Sequence, residues 1–189
     1  MKIEHLSFAF NQKQILHDVS LEIEEGTITA LMAPSGKGKS TLLRLIAGLL
    51  KPEGGRINIG QKTVGIMFQE PRLFGQLTAL QNVALVIQDK TIAQQRAMLL
   101  LKAFGVADAA DKYPEELSGG MAKRVSLARA IAYDADILLL DEPFSALDND
   151  TKQTVIAAVK PFLSGKTVLL VTHDENEAST FADNIINWT

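Results

Sequence analysis

Residues 27–50, TITALMAPSGKGKSTLLRLIAGLL, decide how this chain is built. Thr27–Met32 reads as an apolar strand. Ser40–Leu50 reads as a helix, with Gly48 near its end and Pro52 just beyond as stop signals. Between them lies Ala33-Pro34-Ser35-Gly36-Lys37-Gly38-Lys39-Ser40-Thr41. Glycines at 36 and 38 let backbone N–H groups turn inward toward an anion with no side chain in the way. The helix that follows adds its positive N-terminal end at the same point. Lys39 can then set an ammonium on the β- and γ-phosphates of a nucleotide, and the Ser40 hydroxyl can ligate Mg²⁺. The strict pattern wants glycine where Ala33 stands. A methyl group there penalises a positive φ, which is a route to weaker nucleotide binding.

Working outward, Val19–Glu24 alternates apolar and polar with period two before Glu25-Gly26 turns the chain, so the region up to Glu25 reads as antiparallel strands with one solvated face. Arg56–Ile59 and Val64–Phe68 read as further strands. From Leu77 to Tyr133 the pattern becomes helical: Thr78 can cap one helix, Thr91–Phe104 is apolar at helical spacing before Gly105, and another helix follows Ser118. Ile137–Leu140 and Val168–Val171 are continuous apolar runs, the mark of parallel strands buried on both faces. Helices at 149–163 and 175–182 and a strand at 184–188 complete the alternation. The fold expected is α/β: a parallel-sheet core of the P-loop NTPase kind, with an N-terminal antiparallel β subdomain and an inserted α-helical subdomain. The core covers about 1–76 and 134–189 and the insert about 77–133, in one domain.

Open parallel sheets bind ligands beyond the carboxyl ends of their strands. Three such ends carry polar groups here: Met32 runs into the phosphate loop, Leu140 into Asp141-Glu142, and Val171 into Thr172-His173. Asp141 suits Mg²⁺, directly or through water. Glu142 can polarise a water in line with a γ-phosphate, and His173 can hydrogen-bond that phosphate and orient the water. Taken singly, an Asp-Glu after a strand is a helix cap or solvated turn, and a His beside a Thr is more often structural.

Composition narrows the alternatives. With 19 basic and 22 acidic residues the net charge is −3, which argues against nucleic-acid binding by gross positive charge. There is no cysteine, so disulfides, thiolate metal sites and a cysteine nucleophile are excluded. No apolar run approaches ~18 residues, so the chain does not span a membrane alone. No secretory signal is visible after Met1.

The ordered set of motifs resembles the ATP-binding-cassette (ABC) ATPases, specifically the separate ATPase subunits of bacterial importers. Phe10 stands at the adenine-stacking position, and Gln69 in Met67–Pro71 matches the Q-loop. Leu117-Ser118-Gly119-Gly120-Met121 matches the signature, with Met121 in place of the usual glutamine. Ile137–Pro143 matches the Walker B strand, Ser145–Asp148 the D-loop, and His173 the switch histidine. The resemblance implies two copies packed head to tail. Each ATP then lies between the phosphate loop of one copy (Pro34, Ser35, Gly36, Lys37, Gly38, Lys39, Ser40, Thr41) and Ser118-Gly119-Gly120 of the other, with Asp148 at the interface. Mg²⁺ would be held by Ser40, Gln69 and Asp141, with Glu142, His173 and Gln69 serving catalysis.

Further implications are integral-membrane permease subunits as partners, an extracytoplasmic solute-binding protein in the same system, and a peripheral place on the cytoplasmic face of the inner membrane. The run Phe68–Leu73 looks similar to subunits serving nitrate, sulfonate, taurine or thiamine-type uptake. The rival reading is a soluble ABC ATPase of DNA repair or translation. Such proteins carry long coiled coils, tandem cassettes or basic arms, and none is present. Ending just after the 184–188 strand, the chain is expected to lack a C-terminal regulatory domain.

Overall fold

A computed structural model describes residues 1–34 and 36–188; the expectation for Ser35 lies outside the described residues. In chain order the elements are β1 (Lys2–Phe10), β2 (Lys13–Glu22), β3 (Ile28–Met32), α1 (Lys39–Ile46), β4 (Gly54–Asn58), β5 (Val64–Met67), α2 (Ala79–Ala84), α3 (Ala93–Ala103), α4 (Gly119–Ala132), β6 (Ile137–Asp141), α5 (Asn149–Val159), β7 (Thr167–Thr172), α6 (Glu175–Phe181) and β8 (Asn184–Asn187). They fall into two compact units. The first comprises Met1–Ile66, Asp136–Asp141 and Gly165–Thr189, and the second Met67–Ala135 and Glu142–Ser164.

The first unit holds both sheets. β2, β1 and β4 form an antiparallel sheet in that order. Its β1–β2 hairpin turns on Asn11 and Gln12, both at positive φ (47° and 68°), the backbone a two-residue type I′ turn requires. The second sheet has the order β5-β6-β7-β3-β8, and β6, β7, β3 and β8 run parallel. Every residue of β6 and β7 is buried, as the apolar runs Ile137–Leu140 and Val168–Val171 within them lead one to expect. One apolar core joins Ile3, Leu6 and Leu16 of the antiparallel sheet to Leu31, Leu139 and Leu169 of the parallel sheet and Leu42 and Leu43 of α1.

The expected helix to Leu50 stops at Ile46 instead. Gly48 takes a left-handed φ of 71°, and the N–H groups of Leu49 and Leu50 turn back onto the Arg44 carbonyl, so the glycine ends the helix rather than sitting inside it.

In the second unit α2, α3 and α4 pack on one another through small and branched residues, with Val83, Ala97, Leu101, Val125 and Ala128 fully buried. Thr78 caps α2 in a reciprocal capping box with Gln81, as its sequence position suggests. The helix expected over 149–163 is divided. α5 ends at Val159, and Lys160–Leu163 tightens into a 3₁₀ turn, because Pro161 has no N–H to continue the α pattern.

Candidate nucleotide site

Strand register aligns the functional ends in the first unit. Met32 lies opposite Thr172 and Asp141 opposite Val171, so the phosphate loop, Asp141 and His173 all leave the parallel sheet at its carboxyl edge. Asp141 is buried at 5% exposure, whereas His173 is exposed. A cavity of about 280 Å³ opens at this edge, lined by Met32, Ala33, Pro34, His173, Asn187 and Trp188. A larger one, about 740 Å³, opens beside Thr29 and Asn184, at the beginnings of β3 and β8, and none of the sequence-predicted residues lines it.

The loop itself has the form an anion needs. Gly36 and Gly38 both sit at positive φ, 82° and 89°. Around Gly36 the space is open, but a Cβ on Gly38 would lie 2.8 Å from Leu16 Cδ2 and 3.2 Å from the Ile15 carbonyl oxygen. α1 starts at Lys39 with no side chain capping it and no acidic residue in its first turn. Its N-terminal end is therefore presented without a competing anion of its own, which fits phosphate oxygens. Lys39 is buried, and its Nζ donates to the carbonyls of Ala33 (2.6 Å) and Pro34 (3.0 Å), so the ammonium is already folded back over the loop. Ala33 is not among the residues at positive φ. The strain expected from its methyl group is absent, because the backbone at this point does not use the region that only glycine enters freely.

His173 sits between two anchored neighbours. The Thr172 hydroxyl donates to the Glu177 carboxylate at 2.6 Å, and both residues are buried. The Asp174 N–H donates to that same hydroxyl oxygen, and the Asp174 carboxylate caps α6 by accepting from Asn176 and Glu177. Phe10, at the end of β1, meets Phe8 edge to face at 4.7 Å between centroids and remains 43% exposed, leaving ring surface for a stacking partner.

The second unit carries the remaining candidates. Ser118 caps α4, its Oγ accepting from the Met121 N–H at 3.3 Å, which leaves the hydroxyl hydrogen to donate elsewhere. Gly119 is open, but a Cβ on Gly120 would lie 3.2 Å from the Ala146 carbonyl oxygen and 3.3 Å from Leu147 Cδ2. The signature turn and the Ser145–Asp148 loop are thus in close contact. Asp148 caps α5 by accepting from the Thr151 N–H at 2.9 Å, and that bond holds its carboxyl below the usual aspartate value. Glu142 and Ala146 both take left-handed φ, 48° and 68°, and the Ser145 hydroxyl and N–H donate to the Glu142 carbonyl. Non-glycine residues held in this region concentrate at functional turns.

Gln69 is exposed, and its carbonyl accepts from the buried Lys123 ammonium of α4. Ser40, Gln69 and Asp141 offer a hydroxyl, an amide and a carboxylate, the hard oxygen donors Mg²⁺ takes alongside phosphate oxygens. Among the described residues no group of three or more His, Cys, Asp or Glu could hold a metal by itself.

Sequence reasoning missed Lys123, Arg129 and Asn82, which hold the loop after Gln69, and the Thr172–Glu177 pair. Arg129 had a signal, since it stands inside the apolar run Val125–Ala132 where a solvated cation does not belong. Lys123 had none, because lysines on a helix are ordinarily surface residues.

A protein-family model described as ABC transporter matches residues 16–145. The sulfate/thiosulfate import ATP-binding protein of Thermosynechococcus vestitus is 38% identical, over 97% of this chain and 60% of that protein. A Salmonella typhi protein whose name assigns it to 2-aminoethylphosphonate import is 40% identical, over 97% of this chain and 54% of that protein. The chain therefore spans little more than half the length of these curated relatives. Among solved structures, a dimeric ATP-binding cassette in a post-hydrolysis state with ADP and Pi superposes with a TM-score of 0.87 at 32% identity, covering 100% of this chain and 94% of that one. A dimeric bacterial ABC transporter cassette gives 0.88 at 33% identity, covering 98% and 93%.

Proposed function

The chain belongs to the ABC transporter family, and on that premise we propose that it is the ATP-hydrolysing subunit of an importer, working as a head-to-tail dimer against a separate membrane permease. Import is favoured by the names of the relatives, all ATP-binding proteins of uptake systems. Those names differ in cargo, and no residue described above would touch a transported solute, so the cargo class is left to the permease and an extracytoplasmic binding protein. Among the described residues no helix is long and apolar enough to cross a membrane, which fits a subunit that sits against one, on its cytoplasmic face.

The observation that carries the reading is the pair of helix N-termini built for anions. α1 begins at the glycine loop with Lys39 folded over it, and α4 begins at Ser118-Gly119-Gly120 with no acidic residue in its first turn. A phosphate chain held by the first cradle of one copy would receive Ser118 and the glycine N–H groups of the other, so that the dimer closes only on nucleoside triphosphate. Phe10 stacks on the base. Ser40, Gln69 and Asp141 would hold Mg²⁺, which when bound would supply positive charge against the phosphate oxygens. Glu142 takes the proton of the attacking water, and His173 holds that water and the γ-phosphate oxygen in line. Loss of the shared phosphate removes what joins the copies, and the dimer opens.

The test is Glu142→Gln in the purified chain. ATP binding is expected to persist while turnover falls about 10²–10⁴-fold, the usual worth of a general base, with a dimer accumulating in ATP by size-exclusion chromatography. Undiminished turnover would remove Glu142 from the role of base.

A further inference from the structure

The loop that leaves Gln69 has no regular structure between Phe68 and Thr78, so its carbonyl groups need donor partners from elsewhere. They find them on side chains of one helix and one asparagine. Lys123 of α4, only 3% exposed, donates its ammonium to the Gln69 carbonyl. Arg129, nearly two turns further along the same helix, donates Nη2 to the carbonyls of Pro71 (3.0 Å) and Arg72 (2.9 Å) and Nη1 to Asn82 Oδ1 (3.3 Å). Asn82, fully buried in α2, accepts from the Phe74 N–H and donates to the carbonyls of Phe74, Leu77 and Thr78. Two cations of α4 thus grip three of the four carbonyls from Gln69 to Arg72. These are charge-assisted bonds, stronger than a hydrogen bond between two neutral peptide groups.

Lys123 is a buried lysine on α4. Its placement is informative: Lys123 lies about one turn beyond Ser118–Gly120, on the helix whose N-terminus is the signature turn. The loop bearing Gln69 and the signature turn are consequently fastened to one rigid rod. We propose that Lys123 and Arg129 are positioning residues for the ATPase reaction. Lys123 fixes the Gln69 backbone, and with it the start of the side chain whose amide serves the reaction, and Arg129 holds Pro71 and Arg72 so that Gln69 cannot swing on a free hinge. This rests on the reading of Gln69 as a ligand of Mg²⁺ or water, and the test separates the two.

Lys123→Met, Gln69→Ala and the double variant are compared for ATP turnover, normalised to folded protein by circular dichroism. Lys123→Met is expected to lower kcat about tenfold, with KM for ATP within about twofold of wild type and a raised Mg²⁺ concentration for half-maximal rate. Lys123→Arg, which keeps a cationic donor, restores kcat to within about threefold. In the Gln69→Ala background Lys123→Met costs less than about twofold, since it acts through the missing amide. Arg129→Lys, which keeps the charge but loses the forked grip, gives a smaller fall in kcat of the same kind and guards against a Lys123 variant that does not fold. Full additivity of Lys123→Met and Gln69→Ala, or wild-type kcat in both Lys123→Met and Arg129→Lys, overturns the positioning role while leaving Gln69 in place. Wild-type turnover in Gln69→Ala overturns both.

Discussion

The Thr172 hydroxyl donates to the Glu177 carboxylate at 2.6 Å, five positions further along the chain, and so closes the turn that carries His173. Both members are buried, at 1% and 3% exposure, so the bond sits in a medium where an unmet partner is costly. Thr172→Val leaves the carboxylate without this donor. The expected result is a stability loss of about 1.5–3 kcal/mol by urea denaturation, the range for hydrogen bonds to charged groups. ATP turnover should fall as well, since the backbone on either side of His173 loses its anchor. A variant that keeps full stability would show that another donor replaces Thr172.

The two glycines of the phosphate loop should not be equivalent. Gly38→Ala introduces a Cβ within 2.8 Å of Leu16 Cδ2 and 3.2 Å of the Ile15 carbonyl oxygen on top of a positive φ, whereas Gly36→Ala meets open space and carries only the φ strain. Gly36→Ala is expected to cost about 1 kcal/mol of loop strain, and Gly38→Ala distinctly more, with ATP affinity falling in the same order by calorimetric titration. Ala33→Gly, at a position with no positive φ, should leave ATP affinity within about twofold and gain nothing in stability.

Ser118→Arg places a bulky cation at the exposed N-cap of α4. The isolated chain is expected to bind ATP as before, because its own phosphate loop is untouched, but the ATP-dependent dimer should disappear in sedimentation experiments. An undisturbed dimer would remove the composite-site reading while leaving the phosphate loop intact.

Asp136 accepts from both the N–H and the hydroxyl of Thr63, each at 2.8 Å, and these bonds hold its carboxyl below the usual aspartate value. A carboxyl depressed in the folded state binds fewer protons there than in the unfolded chain, where its value is about 3.9. Its stabilising contribution is therefore complete above roughly pH 5 and is lost as pH falls through the depressed value. Asp148, depressed by Thr151, acts in the same direction. Asp136→Asn keeps an acceptor oxygen for Thr63 without the charge, so its denaturation midpoint should fall less steeply between pH 5 and 3 than that of wild type. Parallel slopes would exclude Asp136 from the acid limb.

Much of the site was legible because its chemistry depends on backbone conformation that only certain residues supply. Gly36 and Gly38 had to be glycines to reach φ values of 82° and 89°, and Ser118 and Asp148 had to be short polar residues to cap α4 and α5. The φ at Ala33 was not legible, because the sequence pattern records which residue the loop usually has, not which φ this backbone takes. The helix end read at Leu50 instead of Ile46 has a related cause: spacing shows where apolar residues recur, while the left-handed turn at Gly48 that ends the helix depends on the Leu49 and Leu50 N–H groups finding the Arg44 carbonyl.

By itself the sequence determined the strand-to-helix phosphate loop, the fully buried parallel strands and the order of motifs along the chain, because each follows from local propensity and periodicity over a few consecutive residues. Only the tertiary structure decided which side chains hold these pieces in place. Lys123 reaches the Gln69 carbonyl across 54 positions of sequence, and Arg129 reaches Pro71 across 58. No local pattern encodes a bond of that span. It exists because helix packing buries these side chains beside a loop that lies outside regular secondary structure, and burial favours the pairing.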